Sequence, residues 1–317
     1  MRIAVFDIGT NSIHMVVADV LPDLTYKVLE REKDTTRLGD GSFEKGRLKK
    51  SSMQRAWSVI GRFHRMAAKY RVKKMFGVAT SAVRDASNGK EFVREVRRRT
   101  GVRIEIISGS EEGRLIELAA RSNFKLTGKR SLVVDLGGGS MELIAGDGKK
   151  HAYLKSFPLG VARLTDHFLR KDPPSPKELR KLEKHVEKEL DEAVRTIHRS
   201  KVSVVIGTAG TMINLASMVY ESGTSKMLKL KHHYPLDRAR LEKIHSEIAA
   251  LPLRKRLNFP GLDSKRADII VAGSLVVLTL MRVLDIPRIL VSKKGIREGL
   301  VLDFIEKNRK LLSRKKW

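Results

Sequence analysis

The chain is 317 residues long and 41% hydrophobic, enough to build two cored domains. It contains no cysteine, which excludes disulfides, thiolate metal sites and thiol catalysis. Its 64 Lys and Arg outnumber 36 Asp and Glu, and the resulting net charge of +28 attracts polyanions.

Aromatic residues make up only 5% of the chain, and neither a zinc-finger spacing nor an RNP-like aromatic run occurs. Nucleic acid is therefore disfavoured, and a polyanion without bases fits better. A basic surface with no partner is the plainer alternative. No apolar run is long enough to span a membrane. Met1-Arg2 leads straight into an apolar strand, which leaves no room for a signal peptide. With the missing cysteines, this points to the cytoplasm.

Alternation of apolar residues predicts strands at Ile3–Phe6, Ile13–Val20 and Tyr26–Glu32. Helical spacing follows from Gly46 to Tyr70, with Met53, Ala56, Val59, Ile60 and Phe63 on one face. Next come a strand at Met75–Ala79, a helix at Glu91–Thr100, a strand at Ile104–Ile107 and a helix from about Ser110 to Ser122. This βββαβαβα order is that of a ribonuclease-H-like domain, as in actin, Hsp70 and sugar kinases. Asn123 to Arg130 reads as a linker, after which the pattern restarts. Strands are predicted at Leu132–Asp135, Met141–Gly146, Tyr153–Pro158, Val202–Ile206 and Arg288–Val291. Helices are predicted at Gly160–Leu169, Ser175–Ser200, Ala209–Tyr220, Leu236–Ala250, Lys265–Leu284 and Ile296–Lys310. Ser222 to Tyr234 reads as a basic, irregular segment, and the tail from Arg309 as a solvated helix end. The expected architecture is α/β, two ribonuclease-H-like domains flanking an interdomain cleft. Their expected limits are 1–124 and 125–317, with a helix at about 300–317 packing back on the first.

Two segments repeat one device. Val5-Phe6-Asp7-Ile8-Gly9-Thr10-Asn11-Ser12 and Val134-Asp135-Leu136-Gly137-Gly138-Gly139-Ser140 each end a strand in Asp, turn on Gly and re-enter a strand. Asp7 and Asp135, Gly9 and Gly137, and Ser12 and Ser140 share one offset of 128 residues. One such turn would be an ordinary hairpin. Two copies, the second with three successive glycines, suit a backbone that approaches phosphate closely. Carboxylates at the ends of buried strands need partners, and Asp7 and Asp135 could face Mg²⁺ through water, with Glu142 pointing at the same ion. Ser108 to Glu111 fits a helix capping box, which leaves the adjacent Glu112 spare as a base for water. Arg84 follows a buried strand and could neutralise phosphate oxygens, or simply pair with Asp85. Gly207-Thr208-Ala209-Gly210-Thr211 is a third such turn, before a helix N-terminus. His14 and the adjacent His232-His233 show no metal-ligand spacing.

From Phe6 to about Asp303 the chain resembles the exopolyphosphatase / guanosine pentaphosphate phosphohydrolase (Ppx/GppA) family of the actin-like ATPase superfamily. Six ordered motifs carry the likeness: Asp7 to Met15, Ala79 to Ala86, Ile107 to Leu115, Asp135 to Glu142, Pro158 to Leu164 and Gly207 to Thr211. The resemblance implies hydrolysis of a terminal phosphoanhydride, in inorganic polyphosphate or in guanosine pentaphosphate, with Mg²⁺ and room for a monovalent cation. It implies Glu112 as the base, and Asp7, Asp135 and Glu142 as metal and water ligands. Asn11, Ser12, Arg84, Gly138, Gly139 and Ser140 are implied as phosphate contacts, beside Gly9, Thr10, Gly137, Gly207 and Thr208. It also implies a homodimer. Longer members append an HD-like helical domain, which is not expected here. A superfamily kinase shares the hairpins but needs an acceptor pocket. A polyphosphate sensor or a nucleic-acid-binding protein would leave Glu112, Asp135 and Glu142 unexplained.

Overall fold

The protein is described by a computed structural model covering residues 1–124, 126, 128–147, 151–221 and 234–314. In chain order the first elements are β1 (Arg2–Ile8), β2 (Ile13–Val20), β3 (Tyr26–Asp34), α1 (Ser42–Lys45), α2 (Lys50–Lys69), β4 (Lys74–Ala79), α3 (Ser81–Arg84), α4 (Gly89–Thr100), β5 (Arg103–Ile106) and α5 (Gly109–Asn123). Then follow β6 (Ser131–Leu136), β7 (Met141–Gly146), β8 (His151–Phe157), α6 (Val161–Phe168), α7 (Pro176–Arg199), β9 (Val204–Thr208), α8 (Ala209–Glu221), β10 (Tyr234–Asp237), α9 (Arg238–Ala250) and α10 (Leu253–Arg256). The last are α11 (Ile270–Val283), β11 (Arg288–Val291), α12 (Ile296–Lys307) and α13 (Arg309–Arg314). The chain forms two compact units, Met1–Ala119 with the segment from Gly295, and Ala120–Lys294. Among the described residues no helix is long and apolar enough to cross a membrane.

The first unit holds a sheet of order β3-β2-β1-β4-β5. β1, β2 and β3 pair antiparallel, while β4 and β5 run parallel to β1. Because strand side chains alternate between faces, Ala4, Phe6 and Ile8 pack with Met53, Ile60 and Phe63 of α2 and Phe92 of α4. Ile3 and Val5, with Val16 and Ala18, pack on the other face against Leu115 of α5 and Leu300 and Phe304 of α12. The same alternation puts Asp7 and His14 on the α5/α12 side. The strand order is that of the ribonuclease-H-like fold, so the expected class holds.

The second unit repeats that order with one strand more, β10-β11-β9-β6-β7-β8. Leu132, Val134, Leu136, Leu143 and Ala145 face a core built on α7, α9 and the almost wholly buried α11. Val133, Ile144 and Ile206 are buried on the opposite face, which is also the face of Asp135 and Glu142. Within the helical layer His245 Nδ1 meets the buried Ser274 Oγ at 2.8 Å. Arg282 ties α11 to Glu183 of α7 at 2.9 Å and to Glu242 of α9 at 3.2 Å.

Three sequence boundaries move. The helix expected from Gly46 starts at Lys50, because Gly46 takes a left-handed conformation and closes α1. Leu48 is then held extended between the Asn88 amide groups. The helix expected from Leu236 starts at Arg238, since Tyr234–Asp237 pairs with β11 instead. The helix expected from Lys265 is a short 3₁₀ turn at Ser264–Arg266 followed by α11. The expected irregular segment from Ser222, including His232 and His233, lies outside the described residues apart from Tyr234.

Burial, with the positive charge of Arg282 beside it, pulls the His245 imidazole down to about 4 from an ordinary 6.5. The unfolded chain therefore takes up this proton near pH 6.5, whereas the folded chain refuses it until about pH 4. Between those values the unfolded state binds more protons, so stability falls as pH falls, by about 3 kcal/mol in all. His245→Gln is expected to flatten this dependence. Melting temperatures of both proteins from pH 7.5 down to 4.5 check it, and parallel curves would refute it.

Candidate active site

In each unit the repeated turns lie at the carboxyl ends of parallel strands, where α/β sheets bind ligands. In the first unit Thr80 N donates to Ile8 O at 3.1 Å and Ile107 N to Ala79 O at 3.2 Å. These bonds set three turns side by side: Gly9 to Ser12, Thr80 to Arg84, and Ser108 to Glu112.

The first turn closes through Gly9 N to Ser12 O at 3.1 Å. Its carbonyls are occupied from behind, Thr10 O by Gly39 N and Asn11 O by Arg37 N, both at 2.9 Å. In a trans peptide the C=O and the following N–H point in opposite directions. Tying off Thr10 O and Asn11 O therefore turns the N–H groups of Asn11 and Ser12 to the front. Asn11 Nδ2 and Ser12 Oγ are buried polar atoms with no hydrogen-bond partner in the protein. Such atoms are costly unless something else satisfies them.

The second turn uses the same construction with a different backing. Gly137 N donates to Ser140 O at 3.0 Å. Val161 N reaches Gly137 O at 3.0 Å, Ala162 N reaches Gly138 O at 2.8 Å, and Arg163 Nε reaches Gly139 O at 2.8 Å. Three successive carbonyls thus face α6, and the N–H groups of Gly138, Gly139 and Ser140 face the other way. Successive amides aimed at one point form an anion cradle. Gly160 permits this backing, since a Cβ there would lie 2.2 Å from the carbonyl carbon of Gly139.

The carboxylates differ between the copies. Asp135 and Glu142 stand directly opposite each other on β6 and β7, 8% and 1% exposed. Register extends the row to Thr208 on β9 and Ser156 on β8. Ser156 Oγ donates to Glu142 Oε1 at 2.7 Å, and Thr208 Oγ1 to Lys294 O at 2.9 Å. Two like charges facing each other across strands are destabilising unless a cation or a proton is shared. In the first copy the residue opposite Asp7 is His14, the counterpart of Glu142 at the same offset. Arg297 of α12 bonds His14 Nδ1 at 3.0 Å. Burial pushes the Asp7 carboxyl up to about 6; the Arg297 charge opposes the rise and Glu298 adds to it.

Among the described residues no three His, Asp or Glu side chains are gathered as a metal shell. Mg²⁺ characteristically takes one or two carboxylates plus substrate phosphates, so the Asp135–Glu142 pair fits it. Asp7, with a guanidinium beside it, fits a metal less well.

Glu112, 8% exposed, sits in the first turn of α5. Arg84 Nη1 donates to Glu112 Oε2 at 2.9 Å and to Ile107 O at 3.2 Å. Arg84, expected on phosphate, is thus engaged with the expected base, and Asp85 lies 3.5 Å from its Nε. The expected capping box is half formed. Glu111 N bonds Ser108 Oγ at 3.1 Å, but the Glu111 carboxylate turns to Arg114 at 2.8 Å.

In the third turn Ala209 takes φ +72, a costly conformation for a residue with a Cβ. Gly207 makes room for Ile289 and Met212 rather than for a ligand. Gly210 lies under the guanidinium of Arg266, which is 9% exposed. Arg163 lies in the Pro158 to Leu164 motif, though the motif assigns it no role, whereas Arg266, Arg297 and Ser156 fall in none of the motifs. The shared offset of His14 and Glu142 is a further signal for this neighbourhood.

Residues 16–308 match the Ppx/GppA phosphatase family, a stretch that begins just after the first turn. The chain belongs to that family. Exopolyphosphatase 1 of Mycobacterium leprae is 31% identical over 303 residues, covering 95% of this chain and 89% of that one. The crystal structure of an exopolyphosphatase from Cytophaga hutchinsonii superposes with a TM-score of 0.91 at 26% identity, covering 97% of this chain and 98% of that chain. The Aquifex aeolicus PPX-GPPA enzyme does so with a TM-score of 0.79 at 30% identity, covering 96% and 99%.

Gly160→Ala tests the backed cradle of this family member. The added methyl group must displace the Gly139 backbone, at about 1–3 kcal/mol. The expected result is a Tm a few degrees lower and a clearly weaker affinity for orthophosphate, read by calorimetry. Unchanged phosphate binding would mean that the cradle is not the anion site.

Proposed function

We propose that this chain is an exopolyphosphatase, releasing terminal orthophosphate from inorganic polyphosphate by in-line attack of water. The observation that carries the reading is the pair of turns whose carbonyls are tied off from behind, leaving amides and the Asn11 and Ser12 side chains for an anion. Those of the first turn would hold phosphate oxygens, as would the Gly138, Gly139 and Ser140 amides of the second. Glu112 would accept a proton from the attacking water. The new bond forms from that water oxygen to the terminal phosphorus as the bridging P–O bond breaks. The electron pair leaves with a chain one phosphate shorter. Asp135 and Glu142 would hold Mg²⁺, which when bound supplies charge to neutralise the phosphate oxygens.

Arg84 has a role that its pairing defines. A guanidinium 2.9 Å from the proposed base would orient its carboxylate.

Glu112→Gln is expected to lower kcat on polyphosphate by about 10²–10⁴, the usual worth of a positioned base, with Tm nearly unchanged. Arg84→Ala should lower kcat in the parent but add little in the Glu112→Gln background, as expected when one group acts through another. Fully multiplicative losses would place Arg84 on phosphate instead. Phosphate release from polyphosphate and from guanosine pentaphosphate, compared as kcat/KM, tests the substrate.

Removal of divalent ions by chelation should abolish release, and Asp135→Asn should raise the Mg²⁺ concentration needed for half-maximal rate at least tenfold. A rate indifferent to chelation would overturn the Mg²⁺ assignment.

A further inference from the structure

One charge feature lies outside the turns and carboxylates of the site. From Lys45 to Lys74 the chain carries eleven Lys or Arg and no Asp or Glu. This stretch includes all of α2, whose apolar stripe of Met53, Ala56, Ile60 and Phe63 is buried. Its exposed side presents Lys50, Arg55, Arg65 and Lys69, together with Arg62, which is paired with Asp34 of β3 at 2.7 Å. At 1.5 Å per residue this cationic edge is about 30 Å long.

The start of α2 breaks a local rule. Helix N-termini carry partial positive charge and favour acidic residues and hydroxyl or carboxylate caps. Here Lys49 is the cap residue and Lys50 opens the helix, with no acidic residue in the first turn and no side-chain cap bond. Two lysines against the helix dipole weaken the empty protein and reinforce attraction for an anion. Departures of this kind concentrate where function requires them. The arginines in the last turn of α4 need no such explanation, since the dipole favours cations there.

The position of this edge is set by hydrogen bonds to the first turn. Arg37 N and Gly39 N occupy the Asn11 and Thr10 carbonyls. Gly41, at φ +63, makes room for the Lys49 side chain. Asn88 then clamps Leu48 by both amide groups, and Ser87 N bonds Gly46 O. These bonds fix the start of α2, with Lys49 and Lys50, relative to the segment that backs the first turn. Aromatic rings beside it are occupied: Trp57 stacks on Phe92 and is covered by Arg99. The Trp57 ring is therefore not free to stack on a base, and a polyanion of phosphates suits the edge better than a nucleic acid.

We propose that the α2 edge, entered at Lys49 and Lys50, is a binding track for the tail of a linear polyphosphate whose terminal phosphate lies in the first turn. The identity of the polyanion rests on the exopolyphosphatase reading; the track itself rests on charge and position.

The test replaces Lys49, Lys50, Arg65 and Lys69 together by Gln, none of which belongs to the catalytic machinery. Binding of polyphosphate of several hundred units is measured in the Glu112→Gln background, where turnover does not interfere. Kd should rise at least tenfold, and the slope of log Kd against log salt should flatten by roughly 0.7 per charge removed, as for a flexible single-stranded polyanion. With Glu112 intact, kcat/KM on tripolyphosphate should stay within about twofold while that on long chains falls, a pattern that also certifies folding. Unchanged long-chain binding, or equal losses on short and long chains, would overturn the track. Loss of single-stranded RNA binding with polyphosphate binding intact would overturn it as well, assigning the edge to nucleic acid. A parent protein that binds polyphosphate but releases no phosphate would refute the hydrolase reading, with the track still decided by the binding series.

Discussion

Satisfaction of backbone carbonyls governs the chemistry of this protein. A tight turn offers its C=O and N–H groups on opposite sides, and whichever side is tied to the rest of the fold leaves the other for a ligand. In both turns the carbonyls are tied. The Arg37–Gly39 segment does this for the first, and the start of α6 for the second. The side proposed to meet an anion is therefore a result of how each turn is backed. The conformational freedom of glycine is needed only for the tightness of the approach. This explains why glycine at 160, a position outside the turn, matters as much as those within it.

The two copies then diverge at one register position. Opposite the aspartate of the first copy stands His14, bonded to Arg297; opposite that of the second stands Glu142. The first arrangement sets a guanidinium and an imidazole beside its carboxylate. The second concentrates negative charge on a buried surface and suits a divalent cation. One supersecondary unit used twice thus yields two different electrostatic environments, through a change at one strand position and the helix that packs over it.

Much of this was legible in the sequence, where the signal is local. β1, β2, β6 and β7 follow from alternation, and the paired turns from their fixed offset. Asp135 and Glu142 follow from hairpin register once the turn is placed. The losses are equally specific. Gly46 ends one helix instead of lying inside another, because only the closure of α1 demands its left-handed backbone. β10 is four residues long and begins at Tyr234-Pro235, a pattern too short to oppose the helical periodicity that follows it. Arg297 and Arg266 reach their neighbourhoods from remote segments, and no spacing rule connects position 297 with position 14. The Arg84–Glu112 pair joins two motifs that were each visible, but their contact depends on β4 and β5 lying side by side.

That pair has an electrostatic consequence for any highly charged substrate. A bare carboxylate beside the scissile bond would repel the polyanion it has to act on, and the repulsion would grow as the site closes out water. Held against a guanidinium, Glu112 presents less negative charge toward approaching phosphates, while one carboxylate oxygen is committed to Arg84. In the proposed role of base, Glu112 would then oppose the entry of a polyanion less than a bare carboxylate would.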